Sequence, residues 1–213
     1  MKVLAIFLLL LPLSLVSAQK IGELAQEKPP EIFPPNTLGI DIMFGEGGFG
    51  MGTFYRRTFS QNLTGFVDFS ISEVKDDREV QYIDYFGNTF TPGKVNRAFL
   101  LPLNLGIQYR IFSESITDSF RPFLSAGVGP NIVLTTPYET EFFTAFKFAK
   151  AHYAVGGYIG LGANIGISKT NLVGISVRYI YSRVFGDAIE TMTGTFNKNF
   201  GQFYITLNLG TMY

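Results

Sequence analysis

The sequence predicts an all-β protein, an eight-stranded antiparallel up-and-down transmembrane β-barrel, and three observations carry that expectation. Apolar residues alternate with small or polar ones at period two over eight separate stretches. The connections between the stretches are alternately short and long, and the chain opens with a segment built for export. Glycine decides strand against helix in the clearest stretch, HYAVGGYIGLGANIGIS at 152–168. It holds five glycines, and each interior glycine costs a helix roughly 1 kcal/mol relative to alanine.

The opening MKVLAIFLLLLPLSLVSAQK sets Lys2 before an apolar core from Val3 to Leu15 and ends in Val16-Ser17-Ala18. This is the pattern of a secretory signal, with the cut expected between Ala18 and Gln19. The core is shorter than the roughly 20 residues of a membrane-spanning helix. No cysteine occurs anywhere in the chain, so neither a lipoprotein anchor, a disulfide nor a thiolate metal site is expected. Removing Lys2 leaves 16 basic residues against 17 acidic ones. That balance gives no footprint for nucleic acid. Residues 19–36 carry Pro29, Pro30, Pro34 and Pro35 without alternation and read as an extended periplasmic lead-in; the barrel is expected over 37–213.

The strands follow in order. Leu38, Ile40, Ile42 and Phe44 form the apolar face of the first, and Phe49, Met51, Thr53 and Tyr55 that of the second. The third places Val67, Phe69 and Ile71 opposite Phe66, Asp68, Ser70 and Ser72. The fourth runs from Phe99 through Leu101, Leu103, Leu105, Ile107 and Tyr109 to Ile111, and the fifth presents Phe120, Leu124, Ala126, Val128 and Ile132. The sixth is the 152–168 stretch. Val173, Ile175, Val177, Tyr179 and Tyr181 mark the seventh, and Phe203, Ile205, Leu207 and Leu209 the eighth. A strand crossing a bilayer needs about 9 to 11 residues and turns its apolar side to lipid. The connections SQN at 60–62, SESITDS at 113–119 and KTN at 169–171 read as periplasmic turns, and the longer segments near 75–94, 138–151 and 186–199 as outer loops. GEGGFG at 45–50 is a tight first outer turn. Pro102 and Pro130 lie equally far from the turn near Ile116; alternation points Pro102 inward and Pro130 outward, both at the outer edge of the membrane zone.

The same alternation points Asp41, Arg56, Asp68, Arg110, Arg121 and Arg178 into the lumen. Counting from the short turns puts all but Arg178 in the periplasmic half. An unpaired buried charge costs several kcal/mol, so a bridged network is expected, with Asn104, Gln108, Asn131 and Asn208 serving the remaining donors and acceptors. Phe54, Phe66, Phe123, Tyr158 and Tyr204 add bulk. An eight-stranded barrel is only about wide enough for side chains to fill. The expectation is a plugged lower barrel beneath a roomier upper half lined by Gly156, Gly160 and Gly162.

The stretches LLPLNLGIQYRIF, RPFLSAGVGP, NLVGISVRYIYS and the closing FYITLNLGTMY resemble the small Gram-negative outer-membrane β-barrel domain family, the eight-stranded relatives of the OmpA membrane domain and OmpX. The resemblance spans Leu38 to Tyr213 and implies residence in the cell outer membrane among its lipids, as a monomer. It also implies that the terminal aromatic Tyr213, preceded by Leu209, Leu207 and Ile205, is the signal read by the barrel-assembly machinery. No peptidoglycan-binding domain follows, so tethering to the wall is not implied.

Other motifs carry less. GEGGFG matches a dinucleotide fingerprint, but the alternating MGTFYRRTF that follows is no helix. The acidic residues Asp76, Asp77, Glu79 and Asp84 lack calcium-loop spacing, and the Asn62-Leu63-Thr64 sequon lies in a periplasmic turn. No cofactor and no metal is expected. His152 is the sole histidine, and Tyr153-Ala154 follow it, so the histidine-x-serine pattern of lipid A deacylases is absent; a lipid A-modifying enzyme is the least favoured reading. The favoured function is a non-enzymatic surface or structural barrel with an extracellular partner left open. The alternative is a narrow conduit for small or hydrophobic compounds, with Tyr138, Phe142, Phe143, Phe146 and Phe148 as an apolar mouth; those residues also fit an aromatic girdle or the upper ends of longer strands.

Overall fold

A computed structural model describes residues 33–213 except 77, 88, 117–118 and 167–169. The expected export signal with its Ala18–Gln19 cut, the lead-in through residue 32 and the end of the 152–168 stretch lie outside the described residues. In chain order the strands are β1 (Asn36–Gly45), β2 (Gly48–Thr58), β3 (Leu63–Val74), β4 (Tyr82–Ile83), β5 (Thr89–Phe90), β6 (Asn96–Arg110) and β7 (Phe120–Pro137). A four-residue helix α1 (Phe142–Ala145) and a 3-10 turn (Phe146–Phe148) come next. Then follow β8 (Lys150–Gly166), β9 (Asn171–Val184), β10 (Ile189–Met192), β11 (Thr195–Asn197) and β12 (Asn199–Met212).

Eight of these strands close a ring in the order β1-β12-β9-β8-β7-β6-β3-β2, every neighbour antiparallel. The eight alternating stretches of the sequence are these strands. At the seam, β1 meets β12 from Thr37 opposite Met212 to Gly45 opposite Tyr204. Asn36 and Tyr213 exchange backbone hydrogen bonds of 3.1 and 2.9 Å just below it. Closure leaves no strand edge, which is what a hydrocarbon environment demands of a sheet.

Burial alternates along each strand, and its sense is inverted relative to a water-soluble protein. Phe54, Phe66, Phe123, Tyr158 and Tyr204 are buried inside beside polar partners, whereas Val128 is 69% and Ile159 67% exposed on the outer wall. A continuous apolar outer belt of this kind is stable only against lipid. The strands at the long-loop end rise past this belt: β7 has 18 residues and β8 has 17, more than the roughly 9 to 11 that a span requires.

Pro102 pairs with Asn131, so Pro130 is its diagonal neighbour; Pro102 is buried and Pro130 exposed, as alternation predicts. The two prolines lack donors, and the ladders loosen around them. The β3–β6 register passes from Phe69–Leu103 to Ser72–Leu100, and the β6–β7 register from Pro102–Asn131 to Leu105–Val128. Gly129 lies in the second gap. A Cβ there would come within 1.8 Å of the Leu103 carbonyl oxygen, so the strands approach closely only because this residue is glycine.

Candidate functional site

The lumen is organised in layers. Near its middle, Arg178 Nη1 donates to Asp41 Oδ2 at 2.8 Å, while the other oxygen of Asp41 accepts from the Asn208 amide. The Arg178 guanidinium also lies 5.2 Å from the centre of the Tyr158 ring. Tyr158 donates its hydroxyl to Asp68 at 2.9 Å, and Asn104 donates to the same carboxylate at 3.0 Å. Phe66 stacks on Tyr158 with 5.7 Å between centroids. Arg56 donates to Asn164 at 3.3 Å and stacks its guanidinium 3.9 Å over Phe54. All four charged side chains are buried. Strand alternation puts them there; Asn208 and Asn104 serve the two carboxylates from adjacent strands, while the Arg178–Asp41, Tyr158–Asp68 and Arg56–Asn164 contacts join strands that are not neighbours in the ring.

Arg110 and Arg121 are placed differently. Arg110 donates to the Ile116 carbonyl at 2.6 Å, and Arg121 to the Met212 sulfur at 3.7 Å while lying 4.0 Å over the Phe33 ring. With Arg56, Gln108 and Asn164 they line a cavity of about 270 Å³ at the periplasmic mouth. The six charged residues thus divide into a central group and a mouth group. Among the described residues, the ion pair inside the barrel is that of Arg178, counted from its turn as the highest of the six, with Asp41.

The glycine-lined upper half is not roomier. A Cβ on Gly156 would fall 2.4 Å from the Asn131 amide nitrogen, one on Gly160 2.9 Å from the Ser125 hydroxyl, and one on Gly162 2.6 Å from Ser176 Cβ. The missing side chains make way for those opposite, and Asn131 donates there to Ser182. Higher still, the Tyr204 hydroxyl reaches both Ser72 Oγ at 2.8 Å and the Glu73 carbonyl at 3.1 Å.

The outer loops fold over this end. Lys94 Nζ lies 2.7 Å from Glu79 and 3.3 Å from Glu73, and Lys94 is itself buried. Asp76, one of the acidic residues weighed for calcium, accepts from Thr191 at 2.9 Å and from Asn197. Val95 donates to the Thr191 carbonyl at 2.9 Å, which ties the β3–β6 loop to the β10–β11 hairpin. Sequence reasoning missed this cap. Its charges sit in loops without a period, and the only signal was a lysine among nearby acids.

Phe142, Phe143, Phe146 and Phe148 extend no strand: they make α1 and the 3-10 turn, whose Phe142 and Phe146 pack on Phe99 at 6.2 and 5.6 Å on the outer flank. Phe148 lines the rim cleft beside His152, and Tyr138 lies apart with the Arg97 guanidinium 4.9 Å over its ring. Glu141 caps α1 by accepting from the Phe143 and Thr144 backbone N–H groups at 3.2 and 2.9 Å. These bonds, Thr144 first, hold its carboxyl below the usual carboxylate range. His152 sits at the rim with the Thr135 hydroxyl 3.2 Å from its Nε2, in a cleft of about 520 Å³ shared with Lys150 and Glu190. Tyr213 closes the seam through its backbone and leaves its ring exposed.

No protein-family model matches the sequence, and no curated protein sequence matches it. Solved structures with a similar chain path include Neisserial surface protein A, with TM-score 0.49, 12% identity and coverage of 84% of this chain and 94% of that one. The N-terminal β-barrel domain of Pseudomonas aeruginosa OprF gives 0.46, 13%, 83% and 95%. Ail, the attachment invasion locus protein of Yersinia pestis, gives 0.43, 11%, 84% and 99%. Likeness of this degree carries nothing about ligand, partner or activity. By its own geometry, a closed antiparallel ring with a lipid-facing wall, short turns at one end and long loops at the other, the chain is a small eight-stranded β-barrel of the outer-membrane kind.

Proposed function

We propose that the protein is a non-enzymatic, non-conducting barrel that presents a folded loop surface outside the cell. The observation that carries this reading is the filled lumen: the Arg178–Asp41 layer occupies its middle, and the loops joined through Lys94, Glu79 and Asp76 cover its outer end. The loop tips support an interaction role, since Tyr85 is 99% and Phe86 85% exposed. The Thr135 hydroxyl beside His152 is of the nucleophile type, but among the described residues no carboxylate bonds the imidazole to orient it as the base that acyl transfer needs. Tyr213, at the end of β12, is assigned to recognition by the assembly machinery on the resemblance of its strand to that signal.

The alternative conduit is favoured by two openings, the cavity at the periplasmic mouth and the rim cleft beside His152. They lie at opposite ends, and a path between them must pass the Arg178–Asp41 layer. Purified barrel in a planar bilayer is expected to show no steady conductance. Steady single-channel steps would replace this reading by the conduit.

A further inference from the structure

Exposed arginines end two outward rows of the wall, Arg57 on β2 at the short-turn end and Arg183 on β9 at the long-loop end. The outward row of β9 climbs through Val173, Ile175, Val177, Tyr179 and Tyr181 to Arg183, passing from aliphatic to phenolic to cationic. Arg183 is exposed, and among the described residues it has no ion pair and no side-chain hydrogen bond. The ladders place it opposite Val155, which is opposite Pro130. This is the level at which the apolar belt ends on the long-loop side. A lipid-facing arginine costs roughly 2–4 kcal/mol at the bilayer midplane but only about 0–1 near the interface, so Arg183 stands where its guanidinium reaches lipid headgroups.

Directly beneath it the wall is hollow. A trough of about 820 Å³ runs from Arg183 down the outer face, walled by Leu105 and Ile107 on one side and by Tyr179 and Tyr181 on the other. Its floor is low because Ala126 and Gly157 stand where neighbouring outward positions carry branched or aromatic side chains. Even a methyl at Gly157 would meet the Gly127 carbonyl oxygen at 2.3 Å, so the floor cannot be raised there. The tyrosine wall is braced from behind. Tyr179 packs against Phe203 with 4.7 Å between centroids, and the Tyr181 hydroxyl donates to Asn199 at 3.0 Å.

We infer that this wall is a binding site for a phosphorylated lipid of the outer leaflet, lipid A in particular, with a phosphate on Arg183 and one acyl chain in the trough over Ala126 and Gly157. The site goes beyond the proposed surface role and rests only on the barrel lying in the outer membrane with its long loops outward. A planar guanidinium gives a phosphate two parallel charge-assisted hydrogen bonds. The volume lies within the roughly 300–1,000 Å³ of small-molecule sites. Charge complementarity selects an anionic headgroup, and the level of Arg183 selects the outer leaflet.

Native mass spectrometry of the detergent-released barrel with added lipid A tests this directly. The parent is expected to retain lipid A at least fivefold better than the same lipid stripped of its phosphates. Arg183→Gln should abolish that preference, and Ala126→Leu, which fills the trough with an apolar side chain, should reduce retention of both lipids. Heat-modifiable gel migration of each variant shows that the barrel is closed. Equal retention of lipid A by parent and closed Arg183→Gln barrel, or no preference for the phosphorylated lipid in the parent, would overturn the site. Equal retention of phosphatidylglycerol and lipid A by the parent would overturn its assignment to lipid A.

Discussion

The middle of the lumen and the outer cap both bury charges, but they hold them by different means. In the lumen, Asp41, Asp68, Arg56 and Arg178 lie on strands, and every hydrogen-bond partner described for them lies on another strand at a height fixed by the ladder. In the cap, Lys94, Glu79 and Asp76 lie in connections, and their partners Glu73, Thr191 and Asn197 come from strand ends and a separate hairpin. A ring-held charge cannot be released without opening the barrel. A loop-held charge can be released while the barrel stands, so stability should reside in the first group and surface shape in the second.

The strongest test of this division is Asp41→Ala. It leaves Arg178 buried without its carboxylate, a change worth about 3–5 kcal/mol, and a large fall in the denaturant midpoint in detergent is expected. A midpoint equal to the parent's would mean that the central layer does not hold the ring. Next is Gly129→Ala. The added methyl would push against the backbone of Leu103 and Asn104, and overpacking of this kind costs about 1–3 kcal/mol; the same midpoint measures it.

Lys94→Met should barely move the midpoint, by less than about 1 kcal/mol if the cap opens locally. It strands Glu79, whose side chain is 3% exposed, and should make residues 75–95 and 186–198 open to protease on intact cells. A midpoint loss as large as that of Asp41→Ala would merge the two regions into one. The smallest effect belongs to Glu141. Its folded carboxyl is held below the unfolded value of 4.5, so its cap on α1 is fully present above that value and is lost as pH falls through the lower folded one. Hydrogen exchange at the Phe143 and Thr144 amides should quicken only in that acid window, and Glu141→Gln should remove the pH dependence.

How far the molecule was legible follows from this division. Period two is a property of strands, so the ring and the inward or outward sense of Asp41, Arg110 or Pro102 could be read from residue order alone. Alternation gives the face of a side chain but not its reach. Arg178 stretches to Asp41, while Arg110 bends to the Ile116 carbonyl, because long side chains choose partners in three dimensions. Loops have no period at all. Phe142 and Phe146 were visible as an apolar cluster, but only their packing on Phe99 shows that they face outward. Arg183 was passed over for a related reason: the apolar run of β9 fades into the loop there, and a terminal charge reads as a solvated end until the ladder gives its height.

The seam between β1 and β12 also orders events in time. Asp41 receives its bonds from Asn208, 167 positions away, and from Arg178, 137 positions away. Neither can form until most of the polypeptide has been made, and contacts of such separation are slow to find because a long loop must close first. Until then the carboxylate and the guanidinium remain hydrated and cost nothing. Once the two outermost strands zip together, both become unreachable by water and satisfied by each other in the same event. The charges that fill the finished lumen are therefore expected to act during assembly as a latch, one that gives a partly built sheet no reward and secures the ring only when every strand is in place.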